Sequence, residues 1–148
     1  MRLLLADGAY VAAVNNEGMT PLQYASHRRF RGAAIATLLA AGASVNHANT
    51  EADSALCLAV TRGRVDDINV LLQHGVDVNG TTHERGDTAL HIAPSAGFLD
   101  VVQVLLTSGV DSDAINNRGE TPLVVAFDND HSDIVAALQS AGVESVNA

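Results

Sequence analysis

The chain has 148 residues, the length of one domain, and 47% of them are apolar, enough for a continuous core. Its net charge of −9 has the wrong sign for binding nucleic acid through phosphate neutralisation. No stretch approaches the roughly 18 uninterrupted apolar residues that cross a bilayer, and one cysteine, Cys57, excludes an intrachain disulfide and a cysteine-built zinc cage.

From the N-terminus, Met1 to Ala6 places a charge before a short apolar run, and Asp7 ends that run too early for a signal-peptide core. With no such leader and a lone cysteine, a cytoplasmic location is the default expectation. Four similar openings follow: Met19-Thr20-Pro21-Leu22, a degraded Asp53-Ser54-Ala55-Leu56, Asp87-Thr88-Ala89-Leu90 and Glu120-Thr121-Pro122-Leu123. Their leucines lie 34, 34 and 33 residues apart. A glycine and a small apolar residue recur in phase at Gly8-Ala9, Gly42-Ala43, Gly75-Val76, Gly109-Val110 and Gly142-Val143. Self-similarity at this period predicts a stacked solenoid, in which each unit rests on its neighbours.

Gly86 to Arg118 is the clearest copy. Thr88 sits where its hydroxyl can cap a helix, and sister copies carry Pro21 or Pro122 at the first helical position, where a missing amide proton costs nothing. Leu90 and Ala93 share a helical face, and Gly97 breaks the helix. A second amphipathic run covers Leu99 to Leu106, with Asp100 in its first turn and Gly109 as its positive-φ stop. Val110 to Arg118 is polar and short, and Asn116-Asn117 suits a tight turn. The unit is therefore helix, turn, helix, projecting loop. Pro94 falls inside the first helix of this copy and predicts a kink or an early end.

The pattern Gly-x-Thr-Pro-Leu-x-x-Ala, a glycine, then Val-x-x-Leu-Leu-x-x-Gly-Ala-x-Val-Asn resembles the ankyrin repeat across essentially the whole chain. The resemblance implies an all-α fold, a solenoid of stacked helix-turn-helix units with projecting hairpin-like loops. Residues 18–51, 52–85, 86–118 and 119–148 read as four repeats, and residues 1–17 as the tail of another. Thr20 to Gly42 is one residue longer than the same interval in later copies, and the extra residue is expected near His27 to Gly32. The family's histidine after leucine appears only as His91; Gln23, Cys57 and Val124 replace it. Both ends of the stack read as unfinished, which fits a piece of a longer array, ends that pair with something, or simple fraying of Met1 to Leu5.

Catalytic signatures are weak. No His-Glu-x-x-His motif, no phosphate-cradling glycine loop and no nucleophile elbow occurs. His91 reads as a structural hydrogen-bonding residue and Cys57 as a packed thiol. Val76-Asp77-Val78-Asn79 resembles a site hydroxylated on asparagine in some arrays of this family, with Asn46 as a weaker echo. The simpler reading is that these asparagines brace a turn through their own backbone. No cofactor and no metal are expected.

The resemblance implies a concave groove lined by loop tips and first helices as the contact surface. The expected partner-binding residues are Met19, Asp53, Asp87 and Glu120 from the loops, with Tyr24, Leu58, Ile92 and Val125 two residues after each marker leucine. Arg28 and Arg62 follow further along the same helices. Tyr24, Leu58, Ile92 and Val125 are all apolar, and a continuous exposed stripe of this kind marks a partner site; the alternative is that they half-bury between neighbouring first helices. Charge runs from +1 over residues 1–51 to −8 over residues 86–148, so an acidic half can steer a partner with a basic segment toward itself; the alternative is that the acids only keep an apolar array soluble. The expectation is a non-catalytic protein–protein scaffold that binds no nucleic acid and no membrane. A regulatory or targeting piece of a larger enzyme or effector, and self-association through the ends at Leu4 or Ile134, are the other readings.

Overall fold

Small hydroxyl side chains start the helices. Ser54 Oγ accepts the amide of Cys57 at 3.2 Å, Thr121 Oγ1 that of Val124 at 3.3 Å and Thr20 Oγ1 that of Gln23 at 3.3 Å. Each bond satisfies a first-turn donor that has no partner within the helix. The structure is a computed structural model that describes residues 11–27, 32–48, 53–82 and 84–142. Eight helices lie among the described residues: α1 Pro21–His27, α2 Gly32–Ala40, α3 Ala55–Thr61, α4 Val65–Gln73, α5 Ala89–Ala96, α6 Leu99–Leu106, α7 Pro122–Asp128 and α8 Ser132–Ser140.

The helices form two layers. The first helices pack side by side in the order α1, α3, α5, α7, and the second helices in the order α2, α4, α6, α8. Each first helix also packs on the second helix of its own pair. Leu22, Leu56, Leu90 and Leu123 are all buried, as are Ile35, Ile68, Leu71, Leu105, Ile134 and Leu138. They form one continuous core through the stack. Polar loops project between pairs, closed by isolated antiparallel bridges from Ala48 to Ser54 and from Thr81 to Thr88.

Two local expectations meet the structure differently. The start of α1 stands one residue further from the start of α2 than in the other three pairs, which locates the extra residue between them; the turn itself, residues 28–31, lies outside the described residues. The early end expected at Pro94 is corrected. Helix α5 runs on to Ala96 and is one residue longer than α1, α3 or α7. Proline removes only its own amide bond, and the turn beyond it is held by Gly97 N–H to Pro94 O at 3.1 Å and Phe98 N–H to Ala93 O at 3.0 Å. Gly97 then stops the helix at φ 76.

Burial along equivalent positions shows which side of each first helix meets which neighbour. Three residues after each cap stand Gln23, Cys57, His91 and Val124; six after stand Ser26, Val60, Pro94 and Phe127. Both positions are buried in α1, α3 and α5 but open in α7, where Phe127 is 65% exposed and Val124 half-buried. Four after each cap the trend reverses: Leu58 and Val125 are buried and Ile92 half-buried, whereas Tyr24 in α1 is 41% exposed. The sixth and fourth positions lie roughly 160° apart around a helix of 3.6 residues per turn. One side of each first helix therefore faces the following pair and the other side faces the preceding one.

Candidate functional site

His91 and Gln23 tie consecutive pairs together. His91 Nδ1 accepts the amide of Thr88 at 3.1 Å and lies 2.8 Å from Thr88 Oγ1. With Nδ1 an acceptor, the neutral ring carries its proton on Nε2, which donates to the carbonyl of Glu120 at 2.9 Å. Gln23 reproduces this with an amide. Its Oε1 accepts Thr20 N–H at 2.9 Å, and its Nε2 donates to the carbonyls of Asp53 at 2.8 Å and His47 at 3.0 Å. The structural role expected of His91 is what the geometry shows. Cys57, at the same repeat position, is buried and its thiol pKa is raised, chiefly because burial penalises the thiolate.

The asparagine loops behave differently from expectation. Asn46 Oδ1 accepts Asp77 N–H at 2.7 Å, and Asn79 Oδ1 accepts Asp111 N–H at 2.8 Å. Each asparagine thus braces the next loop rather than its own. The turn bonds within a loop come from the aspartates: Asp77 Oδ1 accepts Asn79 N–H at 3.0 Å and Asp111 Oδ1 accepts Asp113 N–H at 3.1 Å. Asn116 does brace its own turn, accepting the amides of Arg118 at 2.9 Å and Glu120 at 3.0 Å.

Two adjacent concavities lie between the projecting loops and helices α3, α5 and α7. One, of about 500 Å³, is lined by Asp53, Thr61, Thr82, Glu84, Arg85, Asp87 and Ile92. The other, of about 250 Å³, takes in Arg85, Asp87, Arg118, Glu120, Val125 and Asp128. They share Arg85 and Asp87. Five carboxylates against two arginines make this lining acidic. Asn116, itself buried, donates from Nδ2 to Asp87 Oδ1 and to Glu120 Oε2, both at 2.9 Å. One amide therefore holds the carboxylates of two consecutive loops side by side. Among the described residues, neither Arg85 nor Arg118 forms an ion pair with Glu84, Asp87, Glu120 or Asp128; the pair that does form is Arg64 with buried Asp67 at 3.2 Å, at the start of α4.

The structure thus brings together Asp53, Asp87, Glu120, Ile92 and Val125 of the residues singled out from sequence. The continuous exposed stripe is corrected. Leu58 at 7% and Val125 at 9% exposure are buried, and Ile92 is half-buried against the core, because the preceding first helix packs on them. Tyr24 is the exposed member. Met19 is half-buried, and its backbone closes a hairpin in which its N–H donates to Asn15 Oδ1 and its carbonyl accepts from Asn15 N–H, both at 3.0 Å. Arg62 is exposed and donates from Nη2 to His27 Nε2 at 3.3 Å. Arg28 lies outside the described residues. Ile134, expected at an open end, is fully buried; Leu4 also lies outside the described residues.

Sequence reasoning missed Asn116 as the clamp on Asp87 and Glu120. It also missed Val14 and Ile115, 53% and 67% exposed, each six residues before a capping threonine. The signal was present in that shared offset, since an apolar residue in a polar loop needs a reason. Among the described residues no cluster of three His, Cys, Asp or Glu could hold a metal ion, and no helix is long and apolar enough to cross a membrane.

The family described as ankyrin repeats in three copies matches residues 1–82 and 56–147. Its repeats are generally protein–protein interaction modules, and proteins built from them are typically non-catalytic scaffolds. With helix pairs stacked in two layers, hairpin-like loops projecting between them and the family match along nearly its whole length, this chain belongs to the ankyrin repeat family.

Proposed function

We propose that this chain is a non-catalytic recognition module that takes an extended, basic segment of a protein partner along the groove formed by the loops before α3, α5 and α7. The observation that carries this reading is the Asn116 clamp. Two carboxylates that would repel each other are fixed within reach of one donor, in a lining where acids outnumber arginines. A preorganised carboxylate pair suits a lysine or arginine, because the side chains need no ordering when the cation arrives. Ile92, half-buried at the floor of the larger concavity, offers apolar contact to the partner's neighbouring side chains. Val125 lines the smaller concavity, while Met19, Tyr24, Leu58 and Arg62 lie outside both linings.

The test is fluorescence anisotropy with an extended lysine- and arginine-rich peptide, a neutral peptide of equal length and a charge-reversed one. The basic peptide binds best, and binding weakens with salt. Replacing Asp87 and Glu120 together, D87N with E120Q, lowers affinity by about tenfold, equivalent to about 1.4 kcal/mol. Equal binding of the charge-reversed peptide, or unchanged affinity in a double variant that melts like the parent, would remove the proposal.

A further inference from the structure

Asn79-Gly80 is the one place in the sequence where glycine follows asparagine. The fold gives no conformational reason for that glycine. Its φ is not positive, and a Cβ on it would meet Asp77 O at 3.6 Å, an ordinary contact. Asn79 itself is exposed in the loop after α4, and its Oδ1 accepts Asp111 N–H at 2.8 Å. That bond polarises the side-chain carbonyl and is placed to stabilise negative charge developing on its oxygen. Among the described residues, neither Asn79 Nδ2 nor Gly80 N–H makes a well-formed hydrogen bond. A free backbone nitrogen and a free amide nitrogen thus flank an activated carbon. The other asparagines differ. Asn46 accepts Asp77 N–H at 2.7 Å, but its Nδ2 reaches Gly75 O at 3.5 Å and His47 follows it. Asn116 Nδ2 is held by two carboxylates, and the next nitrogen, that of Asn117, donates to Arg85 O at 2.8 Å. Asn129 Nδ2 donates to Val125 O at 2.7 Å, and Asp130 N–H to Phe127 O at 3.1 Å.

We propose that Asn79 is a site of spontaneous deamidation in the folded chain, with water as the co-reactant. Gly80 N gives its proton to solvent and bonds to Asn79 Cγ. The bond from Cγ to Nδ2 breaks, the nitrogen takes up a proton and leaves as ammonia, and a cyclic succinimide remains. Water then opens the ring at either carbonyl. Attack at Cγ leaves an aspartyl side chain, and attack at the main-chain carbonyl leaves an isoaspartyl linkage through Cγ. The whole sequence consumes water, releases ammonia and oxidises nothing. Either product adds negative charge beside Asp77 and Asp111 to a chain whose net charge is already −9. The aspartyl form keeps an oxygen for Asp111 N–H. The isoaspartyl form runs the main chain through the bracing carbonyl, so the tie between consecutive loops is altered permanently in ageing molecules. Asn79 lines neither concavity of the groove, and the inference stands apart from the groove reading.

The experiment is timed incubation of the whole folded chain in mildly alkaline buffer, followed by peptide mapping with mass spectrometry and isoaspartyl methyltransferase labelling. Asn79 converts before any other asparagine and gives both products. Its rate is at most about threefold below that in a free peptide spanning residues 74–85. Gly80→Ala, with its fold confirmed by circular dichroism, slows conversion by about tenfold, because the added Cβ crowds the nitrogen and narrows its backbone freedom. Stronger protection of Asn79 by the fold would overturn the proposal. So would earlier conversion of another asparagine, or a Gly80→Ala chain that converts as fast as the wild type.

Discussion

The three junctions in this stack solve the same problem with different chemistry. Between the α1–α2 and α3–α4 pairs, Gln23 reaches across to backbone carbonyls of the next loop, and His91 does so between the α5–α6 and α7–α8 pairs. Between the α3–α4 and α5–α6 pairs, Cys57 occupies that position, and a buried thiol packs where the others bond. The Asp87 carbonyl, counterpart of those of Asp53 and Glu120, accepts from Thr82 N–H within its own loop at 3.0 Å, as the Glu120 carbonyl also does from Asn116 N–H at 3.0 Å. A junction thus needs a filled site and a satisfied carbonyl, not a particular side chain. Amide and imidazole are interchangeable here because each presents an acceptor and a donor on opposite sides of a planar group.

His91 gives the largest expected break in this comparison. His91→Ala leaves the buried Thr88 amide without its partner, takes one of two donors from the Glu120 carbonyl and opens a void, and lowers unfolding free energy by about 2–3 kcal/mol in urea melts. His91→Gln, copying the first junction, retains most of that stability. A glutamine variant as unstable as the alanine variant would mean that the two bridges are not equivalent.

Cys57 sharpens the contrast through pH. Its folded pKa is raised above the ordinary 9.0, with burial as the main cause, Asp53 and Asp87 adding to it and bonds from Ser54 opposing it. The folded state therefore keeps a proton that the unfolded chain loses. The thiol's contribution is fully present below 9.0 and declines as pH rises from there toward the folded value, by at most about 1.4 kcal/mol per pH unit. Melts of wild type and Cys57→Ala across this alkaline range should converge as pH rises; parallel curves would show that the thiol is not sealed in the folded state.

The smallest effects come from the turn between paired helices. A Cβ on Gly97 would come within 2.8 Å of the His131 ring, and one on Gly63 within 2.9 Å of the Phe98 ring, both at positive φ. Asp130 stands at the same register with φ 59. Gly97→Ala costs about 1–2 kcal/mol, and Asp130→Gly gains about 0.5 kcal/mol by relieving a left-handed aspartate. Thermal melts that rank these two changes the other way would show that the ring contact does not set the preference for glycine.

Much of the fold was legible in the chain because the repeat compares each residue with its own counterparts. Caps at Thr20, Ser54 and Thr121, the buried leucines and the stacked pairs follow from local chemistry and period. The acidic loop residues Asp53, Asp87 and Glu120 were also legible as neighbours, being equivalent positions in consecutive units. Leu58 and Val125 were misjudged because apolar character alone does not tell a surface stripe from a packed seam. The early end expected at Pro94 failed for a related reason: a buried ring and an intact following turn outweigh one missing hydrogen bond.

By itself, then, the sequence determined the period, the helix starts and stops, the core leucines and the family, since these depend on neighbours within one unit or on identity between units. Only the tertiary structure decided which side of each first helix meets the preceding unit and which the following one. The same was true of the reach of Asn46, Asn79 and Asn116 into adjacent loops. Those relations depend on the direction and rotation with which one pair sits on the next. A repeat length fixes equivalence but carries no information about that rotation, which is set by the packing of whole helices against each other.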